Sequence, residues 1–514
     1  MFPQFCKKLV WTRFPAHNRR TITGHLTSHA WGKLMFSFRR TGRKTAKRSS
    51  KAIAFHPLRH EPLEARRVLA AVTVTNNLGL VNGDTSSIAA LLADDGGDGI
   101  TLREAIEAAN NTPGADTIDF YRTMSNATIP LAGSELVISE ALTIDALSLD
   151  RAVTVDAQHN SRIINITATS GDVTIAGVIL TGGKLTTDSS SPADTTQSGG
   201  AVRSESLGLL TFERCVISDN SVEGAYGRGG GVFSNGHALF NQSTIINNNS
   251  KNDGGGVFAR KVTLTDSSVR FNSTSEPSAS GGGVYSRLDV EVVRSTMEGN
   301  VTSGLNAKGG GIYTRGALTI VDSTIARNIT SGDGAGGGGG YAYLSATLTR
   351  THVIDNDTLG ANSPGGGIRA GGSVALLDSV VSGNSTAGAQ SRGGGVYSIA
   401  NVSLTGSTVS SNSTANFYSS GGGIYAAGSA TLTASVLSGN STAGLRASGG
   451  GLYAKSGAVE ITMSTVSGNS TLGDESRGGG VNAFLGAVTL MDSALVTTAR
   501  SANVPAAAAF FLSW

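Results

Sequence analysis

One column of charged residues in this 514-residue chain has residue types and a spacing that could support chemistry. An acid or an arginine recurs every 28 residues, and the sign of the charge alternates along Asp266, Arg294, Asp322, Arg350 and Asp378. Carboxylates are oxygen ligands that suit calcium, and an arginine beside them could take a proton from an acidic substrate. The alternative is a ladder of opposite charges on an outer face, which helps to set the register of a repeat.

A second acidic group lies near the N-terminus, in the loop sequence ADDGGDG. Asp94, Asp95 and Asp98 predict either a weak calcium site or a solvated glycine-rich loop. Other catalytic patterns are missing, because the three histidines beyond residue 72 are far apart and the glycine runs lack the Lys-[Ser/Thr] of a phosphate-binding loop. The sequence therefore predicts no cofactor, with calcium as the one alternative.

The charged column belongs to an internal repeat of about 28 residues. Glycine pairs or triplets begin at positions 199, 229, 254, 281, 309, 338, 365, 393, 421, 449 and 478. An asparagine recurs with nearly the same period, and an apolar residue stands three positions before each one. These asparagines are Asn220, Asn248, Asn272, Asn300, Asn328, Asn356, Asn384, Asn412, Asn440 and Asn469. A period of this length indicates a solenoid.

The elements of the solenoid are strands. Short apolar alternations such as Leu318/Ile320 have period two, and a coil of this length accommodates three short strands and three corners. The sequence therefore predicts an all-β, right-handed parallel β-helix similar to that of pectate lyases, with coils about 4.8 Å apart. At that spacing a corner of positive φ has no room for a Cβ, which explains the glycines. The asparagines are predicted to form a ladder of side-chain hydrogen bonds.

The repeat pattern GGG[VI][YF]…[VI]xxN resembles the GGAI…FxxN repeat of polymorphic outer-membrane proteins and their secreted relatives. The likeness covers about 300 residues, with Val, Ile or similar where that family has Phe. It implies an adhesin or another surface protein. We expect binding through a rim of variable loops such as 275–280 and 330–337, and no aromatic stripe or basic patch indicates what these loops bind.

The segment after residue 72 predicts a short amphipathic helix over 101–111, because Thr101 and Glu104 have the spacing of a capping box. The stretch GITLREAIEAANN resembles the CSLREA motif of secreted bacterial β-helix proteins, with Ile100 in place of the Cys. The resemblance implies a cap over the first coil. The predicted organisation is a leader at 1–72, an N-terminal cap at 73–130, first coils at 131–198, ten to eleven coils at 199–495, and a C-terminal cap or tail at 496–514.

The leader carries 16 Lys and Arg against Glu61 and Glu64, which leaves 24 basic and 35 acidic residues, a net charge of −11, in the remainder. Its segment PLEARRVLAA resembles the planctomycete LE-P-R-x-L-L export motif, with Ala65 where that motif has Pro. The resemblance implies an exported protein whose leader is disordered or removed, and whose start is Met1 or Met35.

Charge and composition narrow the function classes. The mildly acidic body argues against nucleic acid as a partner. Cys6 and Cys215 lie on opposite sides of the leader boundary, so no internal disulfide is expected. No stretch reaches the roughly 18 apolar residues of a transmembrane helix.

These observations favour an exported, non-enzymatic β-helix, adhesin-like or structural, at the surface or outer membrane of a bacterium or outside the cell. We expect a monomer that binds an extracellular polysaccharide or a surface protein. The alternative is a polysaccharide lyase or glycoside hydrolase of the same fold, which would use the charged column as its active site.

Overall fold

The computed structural model describes residues 70–496 together with the strands Ala499–Arg500 and Phe510–Leu512. Almost all of the leader, including Met35 and most of the export-like segment, and most of the predicted tail lie outside the described residues.

The right-handed parallel β-helix that the sequence predicts is the fold observed. Every strand pairing among the described residues is parallel, and the strands stack into three sheets. One prediction about the coil was wrong: most coils contain four short strands and not three, because a turn divides the strand of the first sheet. In two coils the divided halves run on as the single strands Val232–Asn241 and Val257–Thr265.

The first sheet consists of two adjacent ladders, which share those two long strands. Ladder 1, which follows the glycine runs, contains Leu136–Ile138, Ile164–Ile166, Val202–Ser204, Val284–Ser286, Ile312–Thr314, Gly340–Ala342, Ile368–Ala370, Val396–Ser398, Ile424–Ala426, Leu452–Ala454, Val481–Ala483 and Phe510–Leu512. Ladder 2 contains Ala71–Val74, Asp116–Phe120, Leu142–Asp145, Val173–Ala176, Leu209–Glu213, Val290–Val293, Leu318–Val321, Ala346–Thr349, Val374–Leu377, Val402–Thr405, Ala430–Thr433, Val459–Thr462 and Val488–Met491.

The other two sheets complete each coil, and the 14 strands of ladder 3 mark about as many coils. Ladder 3 contains Thr128–Pro130, Val153–Asp156, Val178–Thr181, Val216–Ser218, Thr244–Ile246, Ser268–Arg270, Thr296–Glu298, Thr324–Ala326, His352–Ile354, Val380–Ser382, Thr408–Ser410, Val436–Ser438, Thr465–Ser467 and Ala494–Val496. Ladder 4 contains Lys184–Leu185, Ser221–Val222, Asn249–Ser250, Ser273–Thr274, Val301–Thr302, Ile329–Thr330, Asp357–Thr358, Ser385–Thr386, Ser413–Thr414, Ser441–Thr442, Ser470–Thr471 and Ala499–Arg500.

The core runs along the axis of the solenoid and is built from the alternate residues of each strand. The apolar residue that precedes each asparagine by three positions is fully buried in every coil, as Ile325, Val353 and Val381 illustrate. Phe212 and Phe240 stack inside the core with ring centroids 5.0 Å apart. In each strand, alternate residues therefore point into a core that every coil lengthens. The residues between them point outward.

The asparagines form one buried ladder, and Asn356 shows its geometry. Its side-chain Nδ2 donates to Asn384 Oδ1 at 2.9 Å and to the carbonyl of Ile325 at 2.9 Å. Its Oδ1 accepts from the backbone N–H and the Nδ2 of Asn328, at 3.0 and 2.9 Å. None of the ten asparagines is more than 1% exposed. Each amide therefore satisfies buried backbone groups that no strand partner reaches.

The glycine runs occupy a corner where backbone meets backbone. Gly393, the first of its triplet, has φ +68°, and a Cβ on Gly394 would lie 2.4 Å from the carbonyl oxygens of Gly422 and Ser413. In the coil with five consecutive glycines, the residue of positive φ that matches Gly393 is Gly337, so the predicted start of that run at 338 was one residue late.

Other corners also turn through positive φ without glycine. Asp266 and Arg294 have φ values of 49° and 45°, and Arg327, which precedes a ladder asparagine, has 54°. These residues are exposed, so their side chains meet no carbonyl of the next coil. Glycine is therefore required where coils touch closely, and positive φ alone does not demand it.

The N-terminal segment contains the helices Ile88–Ala93 and Leu102–Asn110 and a single 3-10 turn, Arg122–Met124. Thr101 caps the second helix, and Glu104 completes a capping box. Burial alone would raise the pKa of Glu104, but hydrogen bonds from the backbone N–H groups of Thr101, Asn82 and Gly83 outweigh it and lower that pKa. Neither of the helices in this described part of the chain is long and apolar enough to cross a membrane.

Candidate functional site

The predicted charged column lies on an exposed corner of the solenoid, between ladders 2 and 3. Arg294 binds Asp266 through two hydrogen bonds of 2.7 Å, and Arg350 binds Asp322 through bonds of 2.6 and 2.9 Å. Asp378 stands one coil further on. More than half of each arginine side chain is exposed. Four of the five residues thus form two ion pairs, Asp266–Arg294 and Asp322–Arg350, on an exposed surface.

The ion pairs also stabilise the charged forms of the paired aspartates and arginines. Hydrogen bonds from Arg294 and Arg350 lower the pKa of Asp266 and Asp322, and the same bonds raise the pKa of both arginines. An arginine held charged by a carboxylate is poorly suited to accept a proton.

The predicted acidic loop bonds to its own backbone and neighbours. Asp94 Oδ1 accepts from the N–H of Gly96 at 3.3 Å, and Asp95 Oδ1 accepts from the N–H of Gly97 at 2.9 Å. Asp98 accepts from the side chain of Asn82 at 3.0 Å. Among residues 70–496, no three acid, histidine or cysteine side chains are grouped so that they could hold a metal ion.

Sequence reasoning missed an aromatic stripe on the outer side of ladder 1, most of whose rings are buried beneath neighbouring side chains. The middle residue of each strand points outward and stands directly beside its counterpart in the next coil. From one coil to the next these residues are Phe233, Phe258, Tyr285, Tyr313, Tyr341, Arg369, Tyr397, Tyr425 and Tyr453. We call this column the aromatic ladder.

The rings of the aromatic ladder stack on one another. Neighbouring centroids lie 4.7 to 5.3 Å apart from Phe233 to Tyr341, and 5.0 to 5.4 Å apart from Tyr397 to Tyr453. Arg369 bridges the two runs, with its guanidinium 4.7 Å from the Tyr341 centroid and 5.6 Å from that of Tyr397. Six of the eight rings are at most 8% exposed, and only Tyr397 and Tyr453 are partly exposed.

Basic side chains flank the aromatic ladder on both sides. One set directly precedes the glycine runs, and the other lies two residues after the aromatic position. These cations are Arg228, Lys308 and Arg392 on the first side and Arg287, Arg315 and Lys455 on the second. Arg228 and Arg287 both lie over the Phe258 ring, with guanidinium carbons 5.3 and 5.0 Å from its centroid. We call the aromatic ladder together with its flanking cations the groove.

The groove opens into a cleft of about 200 Å³ towards its C-terminal end. The cleft is lined by Arg392, Tyr418, Ser420, Tyr425, Arg446, Tyr453, Lys455 and Phe484. Tyr418 and Arg446 come from the loops that follow the ladder asparagines, so the predicted rim of variable loops supplies one wall. Burial raises the pKa of Tyr425 to about 12, and it also raises the pKa of Tyr453.

A local signal for the groove is present in the sequence. The segment KGGGIYTR, residues 308–315, places a cation before the glycines, an aromatic in the strand and a cation two residues later. In the linear chain this reads as part of the glycine repeat, and only stacking turns it into continuous columns. Comparisons with protein-family models, with curated proteins and with solved structures find no match.

Proposed function

We propose that this chain is an exported, non-catalytic β-helix protein that acts outside a bacterial cell or at its surface, as an adhesin-like or structural element. Its groove is the surface that binds the partner, a carbohydrate or a protein. The observation that carries this proposal is the aromatic ladder with its flanking cations, which extends over nine consecutive coils. Most of the rings are buried, so the flanking cations are the groups that a partner would meet, and their distribution over several coils suits a polymer or an extended partner better than a small substrate.

The charge distribution supports the groove as the binding surface. The chain beyond residue 72 carries a net charge of −11, whereas the groove concentrates cations on one face. A local field of opposite sign to the rest of the molecule steers and orients a charged partner. The charged column lacks this property, because its acids and arginines pair with one another.

The absence of catalysis is proposed from the geometry of the charged column. Active sites depend on local groups whose environments differ from those around them. Arg294 and Arg350 instead have the same paired geometry two coils apart and are widely exposed. Export is proposed from the leader, whose segment PLEARRVLAA resembles a planctomycete export motif.

The test incubates the full chain with acidic, sulfated and neutral polysaccharides and with surface proteins of the host bacterium, with and without calcium. Co-sedimentation reports binding, and new reducing ends and unsaturated uronate absorbance report cleavage. We expect binding without cleavage. Cleavage that is lost when Arg294 and Arg350 are both replaced by Gln would instead identify a lyase or hydrolase. No binding to any member of the panel would contradict the binding proposal.

A further inference from the structure

We propose that the C-terminal cleft of the groove is a binding site for an anionic polysaccharide, one that carries a carboxylate or sulfate group on its repeating unit. This inference rests on the proposed function, since it names the ligand class of the same groove. It is carried by three properties of the cleft: its uncompensated cations, the orientation of its rings and its shape.

The first property is a difference in charge between the two ends of the groove. Towards the N-terminal end, the carboxyl of Asp253 lies among arginines, with Arg228 Nε 3.7 Å from its Oδ2. The C-terminal cleft has no such acid: within the described chain, its lining contains three cations and no carboxylate. One of the three, Arg446, binds Glu475 outside the lining, so Arg392 and Lys455 are the cations most available to a ligand.

The second property is the orientation of the aromatic rings. Tyr397, Tyr425 and Tyr453 stack on one another with interplanar angles of about 10°, so their faces are occupied. Bases of single-stranded nucleic acid bind proteins largely by stacking on free aromatic faces, which this ladder does not provide. The phenol groups of Tyr418, which is exposed, and Tyr453, which is partly exposed, lie beside cations in the cleft and suit a ligand rich in hydroxyl and acid groups.

The third property is the shape of the cleft between strand and loop. Tyr418 and Arg446 project from successive loops, and Arg446 Nη1 donates to the Tyr418 hydroxyl at 2.8 Å. Both line the cleft together with Lys455, Tyr425 and Tyr453, so loop and strand residues enclose it jointly. The groove continues beyond the cleft along the coil axis, so a polymer seated in the cleft can extend over further coils.

The test compares two double variants of the full chain, each of which removes two cations. One is Arg392→Gln with Lys455→Gln in the cleft, and the other is Arg294→Gln with Arg350→Gln in the charged column. Both keep the same basic leader, so its attraction for acidic polymers is the same in each. Thermal unfolding establishes that both variants fold.

With polygalacturonate and dextran sulfate as probes at physiological ionic strength, we expect the cleft variant to bind about tenfold more weakly and the charged-column variant to bind like the wild type. Neutral dextran should not compete. The two acidic probes distinguish carboxylate from sulfate recognition. Equal loss in both variants, or competition by neutral dextran or by single-stranded DNA at the same concentration, would overturn the inference.

A second readout is local to the cleft and insensitive to the leader. Acetylation of Lys455, followed by mass spectrometry, should slow severalfold when polygalacturonate or dextran sulfate is bound. Lys184, which pairs with Glu223 on ladder 4, is the internal control and should react at an unchanged rate. Binding without protection of Lys455 would overturn this inference and leave the proposed function intact, whereas no binding to any partner would contradict both.

Discussion

The asparagine ladder and the aromatic ladder are both columns with one residue per coil, and both are largely buried, yet they differ in side-chain direction, in composition and in their neighbours. The asparagines are identical over ten coils, are at most 1% exposed and satisfy one another's hydrogen bonds. The aromatic ladder changes from Phe to Tyr, is interrupted by Arg369, and lies between cations that face solvent. Repetition alone does not separate a structural column from a binding surface. The direction of the side chain and the variation along the column do.

The charged column completes this comparison. It repeats as regularly as the asparagines and points outward like the aromatic residues, but four of its five members neutralise one another in two pairs. Exposed pairs of this kind add little to stability or to recognition. The three columns therefore differ in whether their polar or charged groups already have partners within the protein.

The largest expected effect comes from breaking the asparagine ladder. Asn356→Ala removes the acceptor of the Asn328 N–H and a donor to the Ile325 carbonyl, and it leaves both groups buried. We expect a loss of about 3 kcal/mol in the free energy of unfolding, since each unsatisfied buried group costs about 1–3 kcal/mol. Chemical denaturation measures it.

Asn416→Ala is the matched control, because Asn416 is exposed and its side chain bonds to the adjacent Phe417 N–H. Equal destabilisation by the two substitutions would mean that the ladder contributes no more than a surface asparagine.

A smaller effect is expected when the ladder is disturbed from the glycine corner. A Cβ on Gly395 would lie 2.9 Å from Asn412 Cγ and 2.8 Å from the Gly423 carbonyl oxygen. Gly395→Ala should therefore lower the free energy of unfolding by about 1–3 kcal/mol, as overpacking typically does. Gly79→Ala, where the nearest contact is 3.3 Å, should change it less. If Gly395→Ala were as stable as the wild type, the coils at this corner could move apart without a loss in the free energy of unfolding.

The aromatic ladder should tolerate change better, and Arg369 tests this. Arg369→Ala removes two cation–π contacts and should destabilise by about 0.5–2 kcal/mol. Arg369→Tyr continues the ring stack and should recover most of that loss, while it weakens binding to an acidic polymer by removing a cation. Denaturation and co-sedimentation measure the two effects. If the tyrosine variant were as unstable as the alanine variant, the stack would not be what holds this column together.

The smallest effect concerns pH. Burial raises the pKa of Tyr425 to about 12, above its ordinary value of 10.0. The native state therefore keeps this proton longer than the unfolded state, so its contribution to stability is present below pH 10 and is lost as the pH rises towards 12. Tyrosinate absorbance in the wild type and in Tyr425→Phe isolates this one group. Ionisation of Tyr425 near pH 10 would mean that the ladder is open to water.

Much of the fold could be predicted because the spacing of the recurring residues gives the length of a coil and indicates which residues point inward. The spacing of Asn356 and Asn384 and the apolar residue three positions before each of them reveal period, strand and core at once. The four-stranded coil could not be predicted in the same way. The turn that divides the first sheet contains no residue type that is constant from coil to coil, as Arg287, Arg315 and Tyr343 illustrate.

The sequence by itself determined the solenoid, its buried columns and its glycine corners, because each depends on residues that must recur once per coil. Only the tertiary structure decided which outward columns bring unpaired cations together as a candidate binding site. Arg392 and Lys455 lie in different coils and on opposite sides of the aromatic ladder, 63 positions apart in the chain. They become neighbours in one cleft because parallel stacking converts a distance along the sequence into a few coil spacings of about 4.8 Å.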